Sequence, residues 1–218
     1  MVYFKKSQPA PKSLEEEKIK TNGDYKKKDV IDQLNKDFCG KCYICEQKIT
    51  SANIDHFTPH RGNVDLKFDW NNLFLACYHC NNIKSAKYDN ILNCTNKNDN
   101  VDTKIAYRFN PFPKEKPSFE ALCDDKRTLD TAELLDKVFN GQNSVKNIDS
   151  INLNDALLKE ILEFQNVLCG YFKNNDKKHF LIEIKTHLNK SSPFTAFKRY
   201  IVRKNEDLKR EFEQYIID

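Results

Sequence analysis

Two pairs of cysteines, each with two residues between them, set the strongest constraint on this chain. Cys42-Tyr43-Ile44-Cys45 and Cys77-Tyr78-His79-Cys80 are knuckles of the kind in which both thiolates of one turn reach a single zinc ion, and two such turns complete a tetrahedron. No charged and then apolar leader opens the sequence, which turns polar within a few residues of Met1. The expectation is therefore a cytoplasmic protein, where reduced cysteines serve as metal ligands rather than as disulfides. Cys39 competes for the first position, since Cys39/Cys42 has the same spacing. The aromatic and aliphatic residues inside Cys42–Cys45 favour that pair.

The interval between the knuckles is longer than the roughly 15 to 20 residues of a simple zinc ribbon, so structure must be folded between them. That segment carries Ile54-Asp55-His56-Phe57-Thr58-Pro59, then His60-Arg61-Gly62, then Asp69-Trp70-Asn71-Asn72-Leu73. Asn81-Asn82-Ile83-Lys84 follows the second knuckle. A carboxylate with an amide oxygen leaves a hard cation largely open to water and phosphate. A neutral imidazole beside it can take a proton from an attacking water. Asp55 and His56 point to opposite faces of an ideal strand, so a strand serving one site with both must end or distort there.

This pattern resembles the HNH nuclease motif in its zinc-stapled form. The resemblance implies His56 as general base, Asn72 as the central Asn, Asp55 and Asn81 as ligands of a catalytic Mg²⁺ or Mn²⁺, and Cys42, Cys45, Cys77 and Cys80 around a structural Zn²⁺. Asn81 stands where the name-giving motif has His. Asn72 reads more readily as a brace for the loop than as a group touching substrate. Arg61, Lys84 and Lys87 are candidate phosphate contacts. His60 and His79 lie close by, one in a turn and one inside a knuckle. His179 and His187 fall on a helical segment and read as surface or core residues, and Cys94, Cys123 and Cys169 as buried thiols.

The whole chain reads as α+β: a small zinc-stapled ββα-metal core with an N-terminal helix and a mostly α-helical C-terminal half. With 39% hydrophobic and 31% charged residues among 218, and no apolar run long enough for a bilayer, no membrane role is expected. A net charge of +4 permits a polyanionic partner without requiring one. Residues 1–24 read as an extended arm, and Val30, Ile31, Leu34 and Phe38 mark a helix over 25–38. A strand is expected over 102–109, and a proline-rich connection then suggests a division into 1–110 and 111–218. Beyond it, Asp130 and Glu133 have capping-box spacing for a helix ended by Asn140-Gly141. Further helices are expected over 154–169, stopped by Gly170, over 178–188, and over 193–217.

A wider likeness extends outside the motif. Val2-Tyr3-Phe4-Lys5-Lys6, Asp69-Trp70-Asn71-Asn72-Leu73, Ile91-Leu92-Asn93-Cys94 and Ser192-Pro193-Phe194 together resemble the PtuB family, the HNH subunits of Septu-type and some retron-type anti-phage systems. That resemblance implies a partner ATPase of the PtuA type, for which the apolar faces of the helical half offer a docking surface. The expected activity is hydrolysis of nucleic-acid phosphodiester bonds, DNA first with RNA open, because the phosphate looks alike in each. The alternative is a zinc-stabilised nucleic-acid or protein binding module without cleavage.

Overall fold

In the computed structural model, residues 1–141 and 144–217 are described. The stretch 1–24, expected as an extended arm, begins inside the core. Met1, Val2 and Phe4 are buried, and the Phe4 N–H donates to the Cys94 carbonyl (2.8 Å). Three apolar side chains at the start of the chain enter the core, which no local periodicity signals. After helix α1 (Lys12–Lys18) comes α2 (Lys28–Asp37), whose Val30 and Leu34, four residues apart, face inward. The end of α2 is a Schellman-type turn: Gly40 N–H donates to Asn35 O (2.8 Å) and Cys39 N–H to Lys36 O (3.1 Å). Cys39 takes the left-handed position at φ 54°. It is therefore spent on turning the chain into the first knuckle.

The ββα unit follows. Strand β1 (Asn53–His56) pairs antiparallel with β2 (Leu73–Ala76) in the register Ile54↔Leu75, Asp55↔Phe74, His56↔Leu73. Between them run a short helix α3 (Val64–Phe68), capped by the Asn63 side chain, and a 3₁₀ turn (Trp70–Asn72) capped by Asp69. Helix α4 (Tyr78–Lys84) begins directly after β2, with the Cys77 sulfur accepting from the Cys80 N–H as its N-cap. The first knuckle is attached to the same sheet, because Tyr43 N–H donates to Leu75 O (2.9 Å).

A second hairpin, β3 (Ile105–Arg108) and β4 (Ser118–Ala121), brackets the proline-rich connection. Helices α5 (Lys126–Asn140), α6 (Ser144–Lys173), α7 (Lys178–Leu188), α8 (Thr195–Lys204) and α9 (Glu206–Phe212) complete the chain. The fold is α+β with the four cysteines gathered beside the ββα unit. The division expected at 110/111 falls between two paired strands. One apolar core draws Phe38, Tyr43 and Phe74 from one side of it and Leu135, Phe139 and Phe197 from the other. A smaller core of Phe164, Leu168, Ile184, Val202 and Phe212 lies wholly in the helical half.

Several boundaries differ from the sequence reading for identifiable reasons. Helix α5 starts at Lys126 because Asp125, not Asp130, caps it through Thr128 N–H (3.0 Å). Helix α6 runs through Gly170 rather than stopping there. A Cβ at that position would sit 2.2 Å from the Phe180 ring, so the glycine serves close packing against α7. The last expected helix breaks at Asn205, whose side chain accepts from Asp207 and Leu208 N–H to start α9. Asp102, expected in a strand, instead pairs with Arg199 (3.0 Å) and Arg203 (3.1 Å). Of the three remaining thiols Cys94 is buried, Cys123 half-buried and Cys169 exposed. No helix among the described residues is long and apolar enough to cross a membrane.

Candidate active site

The Sγ atoms of Cys42, Cys45, Cys77 and Cys80 all lie within 4.8 Å of one another. A zinc ion with four thiolates at ~2.3 Å requires sulfur separations of about 3.8 Å, so the donor set fits that ion. It leaves no position for water, which makes the centre structural in type. Cys39 stands outside it. His79, inside the second knuckle, faces away from this chemistry: its Nε2 donates to Val138 O on α5 (2.8 Å), and its Nδ1 lies 3.5 Å from Asp149 on α6. It bolts the knuckle to the helical half.

Strand β1 ends at His56, and the end of the strand lets neighbours of opposite facing serve one place. Asp55, His56 and Asn81 all line a single cleft of about 340 Å³, together with Tyr25, Pro59, His60, Arg61 and Ser85. Ser85 reaches the wall because α4 stops abruptly there, at φ 44° and ψ −149°.

His56 is half-buried. Its Nε2 lies 3.0 Å from the Lys67 carbonyl, and a carbonyl can only accept, so Nε2 carries the proton and Nδ1 is the acceptor of the neutral ring. Two edge contacts at 4.7 Å, from Tyr25 and from His60, hold the ring. Burial pushes its pKa below the ordinary value. The Lys67 hydrogen bond works the other way, and the charges of His60, Lys84 and Lys67 add to the lowering. The imidazole is thus kept neutral, as a base must be.

Asp55 is buried and accepts from the Tyr43 hydroxyl (2.7 Å). Burial raises its pKa, opposed by the Lys84 charge and by hydrogen bonds from Tyr43 and Lys84. The Tyr43 hydroxyl is itself pushed well up, by burial first and then by the Asp55 charge, so it remains a donor. Asn72 is buried and braces the loop: Oδ1 accepts from Thr58 N–H (2.7 Å), and Nδ2 donates to Thr58 O (2.9 Å) and Leu66 O (3.0 Å).

The three basic residues proposed from sequence part company. Arg61 is exposed at the cleft and pairs with Asp89 (3.2 Å). Lys87 is exposed beside Glu133 (3.5 Å), outside the cleft lining. Lys84 has no exposed side-chain surface and lies 3.2 Å from Asp55 Oδ2, so it is not placed to meet a phosphate arriving from solvent. A lysine four residues after the last cysteine lies on the inward face of α4, and the helical period alone could have shown this. Tyr25 and Tyr43 carried no part in the cleft in the sequence reading, and His60 was noted only as lying close by. Of these, only His60 had a signal, its place in the turn four residues after His56.

The donors at the cleft belong to a segment that comparison with known proteins recognises. Residues 39–87 match the HNH endonuclease family. This HNH segment holds both knuckles and every residue proposed above for metal, base and brace. The chain is also 33% identical over 89 residues to the Septu protein PtuB of Bacillus mycoides (strain KBAB4). The match covers 34% of this chain and 30% of that protein's length. No solved structure matches.

Proposed function

We propose that this chain is a metal-dependent endonuclease that hydrolyses nucleic-acid phosphodiester bonds, and that it serves as the nuclease subunit of an anti-phage system beside a PtuA-type ATPase. The carrying observation is that Asp55, His56 and Asn81 line one cleft while the Lys67 carbonyl fixes which nitrogen of His56 is free to accept a proton. The HNH match and the PtuB likeness support the reading.

Asp55 and Asn81 are the oxygen donors for Mg²⁺ or Mn²⁺, a set that suits a hard cation. When bound there, the cation supplies charge neutralisation at the scissile phosphate and at the leaving oxygen. His56 takes the proton of the attacking water at Nδ1 as the water's oxygen bonds phosphorus and the bond to the 3′-oxygen breaks. The 5′-phosphate stays on the product, as the family resemblance implies. Arg61 provides a nearby guanidinium for a flanking phosphate, and Lys87 a more distant ammonium. Asn72 acts through the loop that carries Thr58 and Leu66.

Replacement of His56 tests this directly. His56→Ala, which removes no zinc ligand, is expected to keep its zinc and its thermal unfolding profile while Mn²⁺-dependent cleavage falls by roughly 10² to 10⁴. Purified His56→Ala protein cutting at the wild-type rate would place the chemistry elsewhere. Co-purification with the product of a neighbouring ATPase gene tests the partner.

A further inference from the structure

Lys84 closes α4 with its whole side chain out of solvent. Its ammonium lies 3.2 Å from Asp55 Oδ2, 3.5 Å from Oδ1 and 3.0 Å from the His56 carbonyl. Three contacts thus tie the end of α4 to Asp55 and His56, both of which line the cleft. A buried carboxylate is costly without a neighbouring positive charge, and Lys84 supplies one from the protein itself.

We propose that Lys84 is a positioning residue that holds the Asp55 carboxylate oriented before a divalent cation arrives, and that its charge then limits how tightly that cation is held. This rests on the reading of Asp55 as a metal ligand. The physical case is that the ammonium cannot move away cheaply, because its stem is packed in the core and its protons are spent on the Asp55 carboxylate and the His56 carbonyl. A dication at Asp55 must therefore share the carboxylate with a neighbouring positive charge. Lys84 adds preorganisation and subtracts affinity, which favours a site that binds metal weakly and is fully formed without it. The same contacts explain why Lys84 does not serve the phosphate directly.

The experiment is Mn²⁺ binding to the zinc-loaded full chain, followed by the loss of the free-ion paramagnetic resonance signal, for wild type, Lys84→Gln, Lys84→Met and Asp55→Asn. Gln keeps a donor for the His56 carbonyl and removes the charge. In Lys84→Gln the Mn²⁺ dissociation constant is expected to fall on the order of tenfold, the smallest effect a unit charge a few ångströms from a dication produces even at water-like screening. Asp55→Asn is expected to lose binding at the cleft. If Asp55→Asn loses binding and folded Lys84→Gln binds Mn²⁺ no more tightly than wild type, the role given to Lys84 is overturned and the metal site stands. If Asp55→Asn binds as wild type does, the metal reading of Asp55 itself fails. Should neither Lys84 variant fold alone, recovery of the native near-UV circular dichroism on adding Mn²⁺ supports the proposal, because one cation has replaced another. Failure to recover at saturating Mn²⁺ overturns it.

Discussion

Asn72 and Thr58 grip each other in both directions: the Asn72 amide oxygen accepts from the Thr58 N–H at 2.7 Å and the amide nitrogen donates to the Thr58 carbonyl at 2.9 Å. A third bond reaches Leu66 O, the residue before the Lys67 carbonyl that holds His56. Asn72→Ala removes all three bonds to part-buried backbone groups, each worth about 0.5–1.5 kcal/mol. The urea midpoint is expected to drop accordingly, with cleavage falling further than the loss of folded protein explains. A variant with unchanged midpoint and unchanged rate would deny Asn72 any bracing role.

The four-thiolate centre predicts one zinc per chain, and Cys80→Ser is expected to lose the metal and unfold, since structural zinc contributes directly to folding free energy. Cys39 gives the opposite prediction. At φ 54° it occupies a position where glycine is favoured, so Cys39→Gly should keep its zinc and gain up to about 1 kcal/mol. Metal analysis and thermal melts on the two variants separate the competing cysteine pairs, and zinc loss in Cys39→Gly would reverse the assignment.

Lys6 carries a pH signature. Burial pushes its ammonium down to about 7, against the opposing pull of Asp37 and Asp69, while the side chain bonds the Leu73 carbonyl (2.6 Å). Because the folded value lies below the unfolded one near 10.4, the unfolded chain binds more protons between them, and stability rises with pH across that window. Below about pH 7 the charged, half-buried form is a constant burden. Relative to Lys6→Met, wild type is expected to gain at least about 1.4 kcal/mol from pH 7 to pH 10, the worth of a tenfold difference in proton affinity. A flat difference between the two proteins over that range would show that Lys6 keeps its proton.

Gly170 makes a prediction confined to the helical half. Its Cβ-less face lies against Phe180, so Gly170→Ala should destabilise α6 and α7 by about 1–3 kcal/mol through overpacking, although alanine is the better helix former. Adding Phe180→Leu should recover part of the loss. A single variant more stable than wild type would mean that the two helices do not meet as closely as described.

The parts of the site that were legible in the sequence are those fixed by local spacing. Two matched pairs of cysteines at i and i+3 announce the knuckles, although that spacing alone does not separate Cys42/Cys45 from Cys39/Cys42, and Asp55-His56 before Pro59 announces a strand ending at two polar residues. Helix α7 followed from periodicity alone. What escaped depended on partners far along the chain: Phe4 against the core, Asp102 with Arg199 and Arg203, Gly170 under Phe180, and Tyr43 donating to Asp55. The inward course of Lys84 escaped for a different reason. Basic residues close in sequence to Asp55 and His56 invite a phosphate reading, and only the direction of the helix face decides between solvent and core.

The pairing of Asp55 with Phe74 makes the chemistry a matter of phase. Side chains alternate along a strand, so sliding β1 by one residue past β2 would carry the carboxylate outward and drive the imidazole toward the core. Four-residue strands hold such an alignment weakly by themselves. Here Cys77 continues directly from β2, and Tyr43 hangs from Leu75 between the two cysteines of the other knuckle. A metal ion gripping both knuckles would clamp the shuttle of this small loom at one setting. Zinc held there would then decide which amino acid faces the cleft.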